Sequence, residues 1–561
     1  MRKHAAMGAA VANDVFDFTP GAQVPLMGAA GQTAATHALA SAAYRDTELK
    51  EILKANSEWH KSEVKPGKIS LFEPNLGEAF ARAVQVRMLG GARAPLIQSF
   101  GTEPQSVVEH CLAATRLRRE RDGRLTAVMA VCGLLFLPGL LLWLGVFQLR
   151  RTLAGSQKKS AGALGGLLLV AIGILAVIFL VRLPFGGLWA YYIRAMLVAP
   201  VIGWFLAKRI CESSAKDMRA RWDALLSGGG LGAKVPEAVP GNPGDAAREQ
   251  LRQGLEKLTA EQQSNVVFYA GPKGILGMGT RWGSWQMAEE LVSKDAGKEI
   301  NQFRSWDVIR AVHDKLKLLE RGPLNSGGFP APSVKHWIVS PIGENAAAVA
   351  RPEGQEVDTF QIKGHEIQRI CNHQQFGSGN RHYLGVQFTL WDGQLVITMM
   401  ITVTVLHETL RVEVTGHALG PVHSLFTTKP EPKIQTVSKT IRFWETVDRV
   451  LPLVDAKEVV RLAVRAPFTW HPPLLDFLGG KLVLPEPFGL RHAWAEKPWR
   501  HRFMADDAMR AATPVLRVAH AAALKVLQDN GVDTEHFGNR ASVVSGFVQD
   551  PTPGKADVYE A

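Results

Sequence analysis

The side chains best suited to chemistry are three histidines, His365, His373 and His382, which follow one another closely with Glu366 and Cys371 between them. Imidazole, carboxylate and thiolate make up the usual ligand set for zinc, and a neutral imidazole also serves as a general base near pH 7. The spacing argues against both roles. GHEIQR carries the glutamate of HExxH without the second histidine that would put two rings on one helix face, and the other intervals match no zinc signature. The three histidines therefore stand as weak metal candidates, and no metal or cofactor is expected.

A second chemical possibility is the glycine-rich stretch GPKGILGMGTRWGSW, from Gly271 to Trp285. Phosphate binding of the Walker type needs a loop ending in GK[ST], and the dinucleotide fingerprint needs GxGxxG opening a helix; neither is present. Gly271, Gly274, Gly277 and Gly279 read as turn residues, with Trp285 either buried or reaching a neighbouring surface. There is no GxSxG nucleophile elbow, and sequence alone brings no cysteine to a histidine. No catalytic residue is nominated, and an enzyme of unknown reaction is the lesser alternative.

The elements that must position these residues are dominated by a hydrophobic block. Leu125 to Leu149 is a run of 25 residues without a charge, and Ser160 to Val181 is another of 22. As helices rising 1.5 Å per residue, either crosses roughly 30 Å of hydrocarbon. Leu183 to Ala207 is as long but carries Arg194 and Pro200, and a buried Arg costs several kcal/mol unless it snorkels or finds a partner. Basic clusters flank the block: Arg116, Arg118, Arg119, Arg121 and Arg124 before it, Arg150 and Arg151 after the first window, Lys208 and Arg209 after the third.

Positive charge favours the cytoplasmic side. Two arrangements respect that rule at the carboxyl-terminal end: three full spans, or a first window that turns back at Pro138-Gly139, where proline breaks the hydrogen-bond ladder and glycine permits a turn. Both put the long carboxyl-terminal region in the cytoplasm. The first strands the earliest arginine cluster outside; the second keeps every cluster inside. Met1-Arg2-Lys3 is followed by no sustained apolar run, so a cleaved signal peptide is not expected.

The remaining chain divides by composition. Residues 1–45 are Ala- and Gly-rich and expected to be disordered; 46–124 form a small helical region; 125–209 are the membrane block; 210–245 are a helix and a Gly/Pro-rich linker. Residues 246–561 form a soluble α+β domain with a mostly antiparallel sheet, subdivided near 430. Trp306, Ile309, Val312, Leu316 and Leu319 mark one face of a helix over 303–321. Strands are expected at 334–339, 347–350, 381–389, 394–404 and 409–415, with Asp392-Gly393 as a hairpin turn and His407-Glu408 as the next. The fold class is thus a membrane-anchored multidomain protein with two or three hydrophobic helical segments ahead of an α+β domain.

The net charge of +12 is concentrated beside the membrane block, where topology accounts for it, and no nucleic-acid-binding module is recognisable. Nucleic acid is not an expected partner. The four cysteines are widely separated and suggest no disulfide framework. PFTWHPPLLDF and LPEPFGLRHAWAEKPWRHRF are aromatic and basic, and Trp470, Trp494 and Trp499, with Trp285, are candidates for a partner-binding or membrane-facing surface. Long packed loops are the other reading.

NVVFYAG, GMGTRWGSW and RHYLGVQFTLWDGQLVITMMITVTVLHETLRVEV, together with the preceding membrane block, resemble uncharacterised actinobacterial multi-span membrane proteins with a cytoplasmic α+β domain. That resemblance covers about 265–421 and implies a bacterial cytoplasmic-membrane protein, with no catalytic residue to carry over. Its extension is a docking factor or effector for a large cytoplasmic assembly such as a contractile injection system, acting in stress response or cell death. The function expected is a membrane-anchored adaptor whose partners are the bilayer, another protein and, in an oligomer, its own copies.

Overall fold

The computed structural model describes residues 32–535 except 58–60, 91–95, 155–169, 175, 179–180, 182–186, 228–244, 272–273, 296, 321–329, 343–360, 375–378, 433, 439–445 and 501. The expected disorder of residues 1–31, much of the second hydrophobic window, the strand at 347–350 and the linker between 228 and 244 lie outside the described residues.

The first described element, α1 (Ala34–Ser41), starts where the Thr33 hydroxyl accepts the N–H of Thr36 at 3.2 Å. Ala35, Ala38 and Ala40 are fully buried, as are Tyr44 and Arg45 just beyond. Disorder through residue 45 is therefore corrected for 32–45: alanine contributes little apolar area, yet its small size lets a helix backbone sit tight against its neighbours. A 3₁₀ turn at Leu49–Ala55 leads to β1 (Glu63–Pro66), and Asn75 caps α2 (Leu76–Leu89) by accepting from the Glu78 N–H at 3.1 Å. α3 (Pro104–Val128) begins with proline at its first turn and continues through a π-helical segment, Met129–Leu134. α4 (Leu137–Ala154) follows a sharp bend, and α5 (Leu188–Leu226) is a single helix of 39 residues. α6 (Ala246–Gln262) is capped by the Asp245 carboxylate.

The sheet follows. Its elements are β2 (Val266–Tyr269), β3 (Thr280–Glu290), α7 (Ser305–Glu320), β4 (Ser333–Pro341), α8 (Gly364–Asn372), β5 (Arg381–Leu390), β6 (Leu395–Leu406) and β7 (Thr409–Leu419). Among the described residues these strands form one six-stranded sheet in the order β2-β4-β5-β6-β7-β3. The sheet is mixed, because β2 runs parallel to β4 at one edge while the remaining neighbours are antiparallel. Both turns sit where the chain signals put them: Asp392 and Gly393 have φ of 51° and 80° between β5 and β6, and His407 has φ of 50° between β6 and β7. Along β6, Leu395, Ile397, Met399, Ile401 and Val403 pack under α7 and the last helix. Met400, on the opposite face, packs with Trp337, Met278 and Phe100.

After the sheet come the hairpin β8 (Ile434–Ser438) and β9 (Thr446–Val450), then α9 (Ala456–Arg465), α10 (Pro472–Gly479), β10 (Gly480–Val483) and α11 (Arg502–Asp529). β10 pairs antiparallel with β1, some 400 residues earlier in the chain. This return is the main departure from the expected domain plan. Val422, Phe426, Leu484, Phe488 and Trp494 share one core with Leu39, Phe80, Val107 and Trp222, whereas α11 goes back to the sheet. Residues 246–561 are thus divided between two cores, and the helical core is built from both ends of the chain.

Candidate membrane-proximal site

α5 is the one described helix long and apolar enough to cross a membrane, over Trp189–Leu226. At 1.5 Å per residue its 39 residues extend about 58 Å, nearly twice the hydrocarbon thickness. The two halves meet different surroundings. Trp189, Tyr191, Ile202 and Phe205 are exposed on the first, while Met218, Trp222 and Leu225 are buried in the helical core on the second. α3 mirrors this: Val107, Cys111 and Ala114 lie in the same core, and beyond Leu125 the chain exposes Val131, Leu134 and Leu135.

The first window is not straight. Its two helical parts, ending at Leu134 and resuming at Leu137, meet at 97°, just before Pro138-Gly139. α4 then packs on α5 so closely that a Cβ on Gly139 would overlap the Met196 carbonyl oxygen, and the π-helical segment before it packs on α5 as well, where a Cβ on Gly203 would stand 2.7 Å from the Cys132 Cβ. Small residues at such crossings let apolar helices gain dispersion contacts that lipid tails otherwise supply. The Trp143 indole donates to the Leu197 carbonyl at 3.1 Å and the Tyr192 hydroxyl to the Leu135 carbonyl at 3.2 Å. Arg194 is half-buried on α5, and its Nε has no hydrogen-bond partner among the described residues.

A topological constraint follows from the shared core. Residues on α1–α3 and residues on the second half of α5 are packed together, so they occupy one side of any membrane that the intervening block enters. Were the block to cross that membrane, an even number of crossings between Leu125 and Lys208 would agree with this packing, as the arrangement with the first window turned back at Pro138-Gly139 does and three full spans do not.

Where the helices leave the core, α9 lies across them. Leu125 of α3, Ala207 and Cys211 of α5, and Val459 and Leu462 of α9 form one small cluster. Beside it is a concentration of buried charge. Arg465 makes a two-pronged pair with Glu78, Arg121 pairs with Asp122 at 2.7 Å, and Arg118 donates to the Ala43 carbonyl at 2.7 Å. Burial would push the Glu78 carboxyl up, but Arg465 and, further off, Arg118 and Arg121 hold it down at about 2. Burial, with the Glu78 charge, raises Asp122, and burial, with the Arg121 charge, lowers Arg118 to about 10. A cavity of about 210 Å³ opens next to the pair, lined by Glu78, Arg82, Arg465, Asp476 and Lys481. With each carboxylate paired to an arginine, the arrangement holds α2, α3 and α9 together.

The remaining expected residues are scattered. Arg116 is exposed and pairs with Glu120 at 3.1 Å, Arg119 and Arg209 are exposed, Lys208 stands 3.7 Å from Glu212, and Arg150 and Arg151 lie on α4. Arg118 points inward instead of flanking the membrane. Trp285 and Trp494 are corrected as surface residues: the first is in the sheet core and the second, fully buried, packs on Phe80 at 5.0 Å between ring centroids. Trp499 is half-buried, edge-on to Trp282 at 6.2 Å. Trp470 is 63% exposed.

The histidines do not converge as a ligand set. His365 and His373 are exposed at either end of α8, and His373 Nδ1 lies 2.9 Å from the Arg369 carbonyl, while His382 is buried on the sheet with its Nε2 3.0 Å from Nδ1 of His336. Among the described residues no group of three or more His, Cys, Asp or Glu could hold a metal ion. His336 also stacks on His313 and Trp306, with centroids 4.6 and 5.1 Å away, and burial lowers it to about 4. All four cysteines are free.

Glu78 and Arg465 escaped sequence reasoning because 387 positions separate them. Arg118 and Asp122 carried a usable signal: with Val107, Cys111, Ala114 and Leu125 they recur at spacings of three and four, so they belong to the buried face of α3. No curated protein and no solved structure matches the chain. Residues 284–554, just under half of its length, match the family model described as the AbeC-like domain, which begins within β3 and contains the sheet from that point together with the segment that returns to the helical core.

Proposed function

We propose that the chain is a membrane-anchored interaction protein that holds a large soluble body against the bilayer and presents it to a protein partner in the cytoplasm. The observation that carries this reading is the continuity of α3 and α5: each runs without interruption from apolar, exposed surface into the shared helical core. A flexible tether would let the body tumble, whereas two helices packed in its core fix its orientation. The cytoplasmic placement is supported by Arg119, Arg124, Lys208 and Arg209 at the foot of those helices.

The experiment is affinity purification of the crosslinked full-length protein from native membranes, compared with a charge-reversed variant, Lys335→Glu on β4 with Arg411→Glu on β7, two exposed cations on the sheet face opposite α7. Cutting the chain near residue 246 is unsuitable, because it would strip Val422, Phe426 and Trp494 from the helical core. A partner recovered with the native chain and depleted with the variant supports the reading. Recovery of the bait alone from both, in good yield, overturns it.

A further inference from the structure

We propose that α10, with Trp470 just ahead of it, lies in the headgroup layer as a second, surface-bound anchor for anionic phospholipid. This rests on the anchoring described above. Trp470, Leu474 and Phe477 are 63%, 43% and 57% exposed, and Pro473 is exposed beside them. Positions 473, 474 and 477 recur at helical spacing and form one apolar stripe on α10, and Trp470 ends the 3₁₀ turn just before it, across non-helical His471. The other side of α10 is fixed to the protein: Leu475 is buried, and Asp476 pairs with Arg82 at 2.7 Å.

The place of this stripe identifies its occupant. A Cβ on Gly123 of α3 would stand 4.0 Å from Cζ2 of Trp470, and Gly123 is two residues before Leu125, where the uncharged window begins. α9, which leads directly towards Trp470, packs on Leu125, Ala207 and Cys211 of the two anchoring helices. The stripe is thus level with the point at which α3 leaves the soluble body. Indole and phenyl rings on an amphipathic helix favour that depth. Charge completes the match: the Lys68 ammonium lies 4.0 Å over the Phe477 ring, and Arg124 and Arg119 are exposed next to Gly123 and one turn back. Cations at this level meet the negative potential of anionic headgroups.

The test places a bimane label on Leu474→Cys or Phe477→Cys in the full-length protein, in nanodiscs containing acyl-brominated phosphatidylglycerol. Cys111, Cys211 and Cys371 are buried, so Cys132→Ser removes the accessible native thiol. Phe205→Cys on the exposed side of α5 is the lipid reference and Lys298→Cys, 77% exposed, the aqueous one. The expected result is a loss of emission at 474 and 477 approaching that at 205, and a smaller loss when brominated phosphatidylcholine replaces the anionic lipid. Emission at 474 and 477 as bright as at 298, with 205 quenched, overturns the second anchor and leaves the first. Equal quenching in the two lipids overturns the headgroup assignment. An unquenched label at 205 overturns the anchoring itself.

Discussion

Removing the Glu78 carboxylate leaves the Arg465 guanidinium, only 3% exposed, without its counter-charge, and takes a neighbouring negative charge from buried Arg118. Breaking a buried ion pair from one side costs roughly 3–5 kcal/mol, and the residual 18% exposure of Glu78 places this case at the lower end. Because α2, α3 and α9 meet there, the loss is local to those helices. Hydrogen exchange read by mass spectrometry on the full-length protein in nanodiscs is the suitable assay. A loss of 3 kcal/mol speeds exchange of α2 and α3 amides by roughly a hundredfold in Glu78→Ala. Replacing both partners, Glu78→Leu with Arg465→Met, removes the stranded charge and restores exchange to within about tenfold of native.

The pH dependence has a defined sign. Glu78 is held at about 2 against an ordinary 4.5, so its contribution is complete above 4.5 and fades as the pH falls from there towards 2. Native α2 and α3 lose protection across that window once intrinsic rates are divided out, and the doubly substituted protein loses less. Exchange in Glu78→Ala within about threefold of native, or a double variant as costly as its two single substitutions added together, would refute the buried-pair account.

Three further outcomes are expected. Gly139→Val cannot fit against Met196 and separates α4 from α5, lowering the thermal midpoint of the micelle-solubilised protein, while Gly145→Val, which meets nothing within 4 Å, leaves it unchanged. Trp494→Ala, in the centre of the helical core, costs about 3–5 kcal/mol in urea titration, whereas Trp470→Ala in micelles shifts stability by no more than about 0.5 kcal/mol. His336 is lowered from 6.5 to about 4 by burial, so the sheet core is fully supported above pH 6.5 and loses up to roughly 3 kcal/mol through this residue as the pH falls towards 4; exchange of β4 and β5 amides reads this loss, and His336→Gln reduces it, leaving the share of His382, which burial lowers to about 3.

Local pattern carried much of the fold. The spacing of Trp306, Ile309 and Val312 fixed α7, and the turn residues at Asp392-Gly393 and His407-Glu408 fixed the register of β5, β6 and β7. Long-range assembly was not legible in the same way. Nothing in the composition of 422–494 says that it leaves the sheet to pack on α2, because apolar residues suit either core. α1 was missed because alanine packing depends on close approach instead of on large side chains, and that depends on a partner surface. At the membrane foot the arginine run was read as a flank, since charge counts do not separate Arg119, which faces solvent, from Arg118, which completes a buried face. The tryptophans divided for a similar reason: Trp494 and Trp470 are equally conspicuous in the chain, and only tertiary packing buries one and exposes the other.

The most direct test of the central claim is the sidedness of the two ends of the soluble body. Single cysteines at the exposed positions Lys50 and Lys525, and at Trp189 near the start of α5, are reacted with a membrane-impermeant maleimide in sealed inverted vesicles and in right-side-out spheroplasts. With α1–α3 and α5 sharing one core, Lys50→Cys and Lys525→Cys react together in the inverted vesicles, and Trp189→Cys reacts only from the opposite face. Labelling of Lys50→Cys and Lys525→Cys from opposite faces would contradict the shared core and the even number of crossings drawn from it.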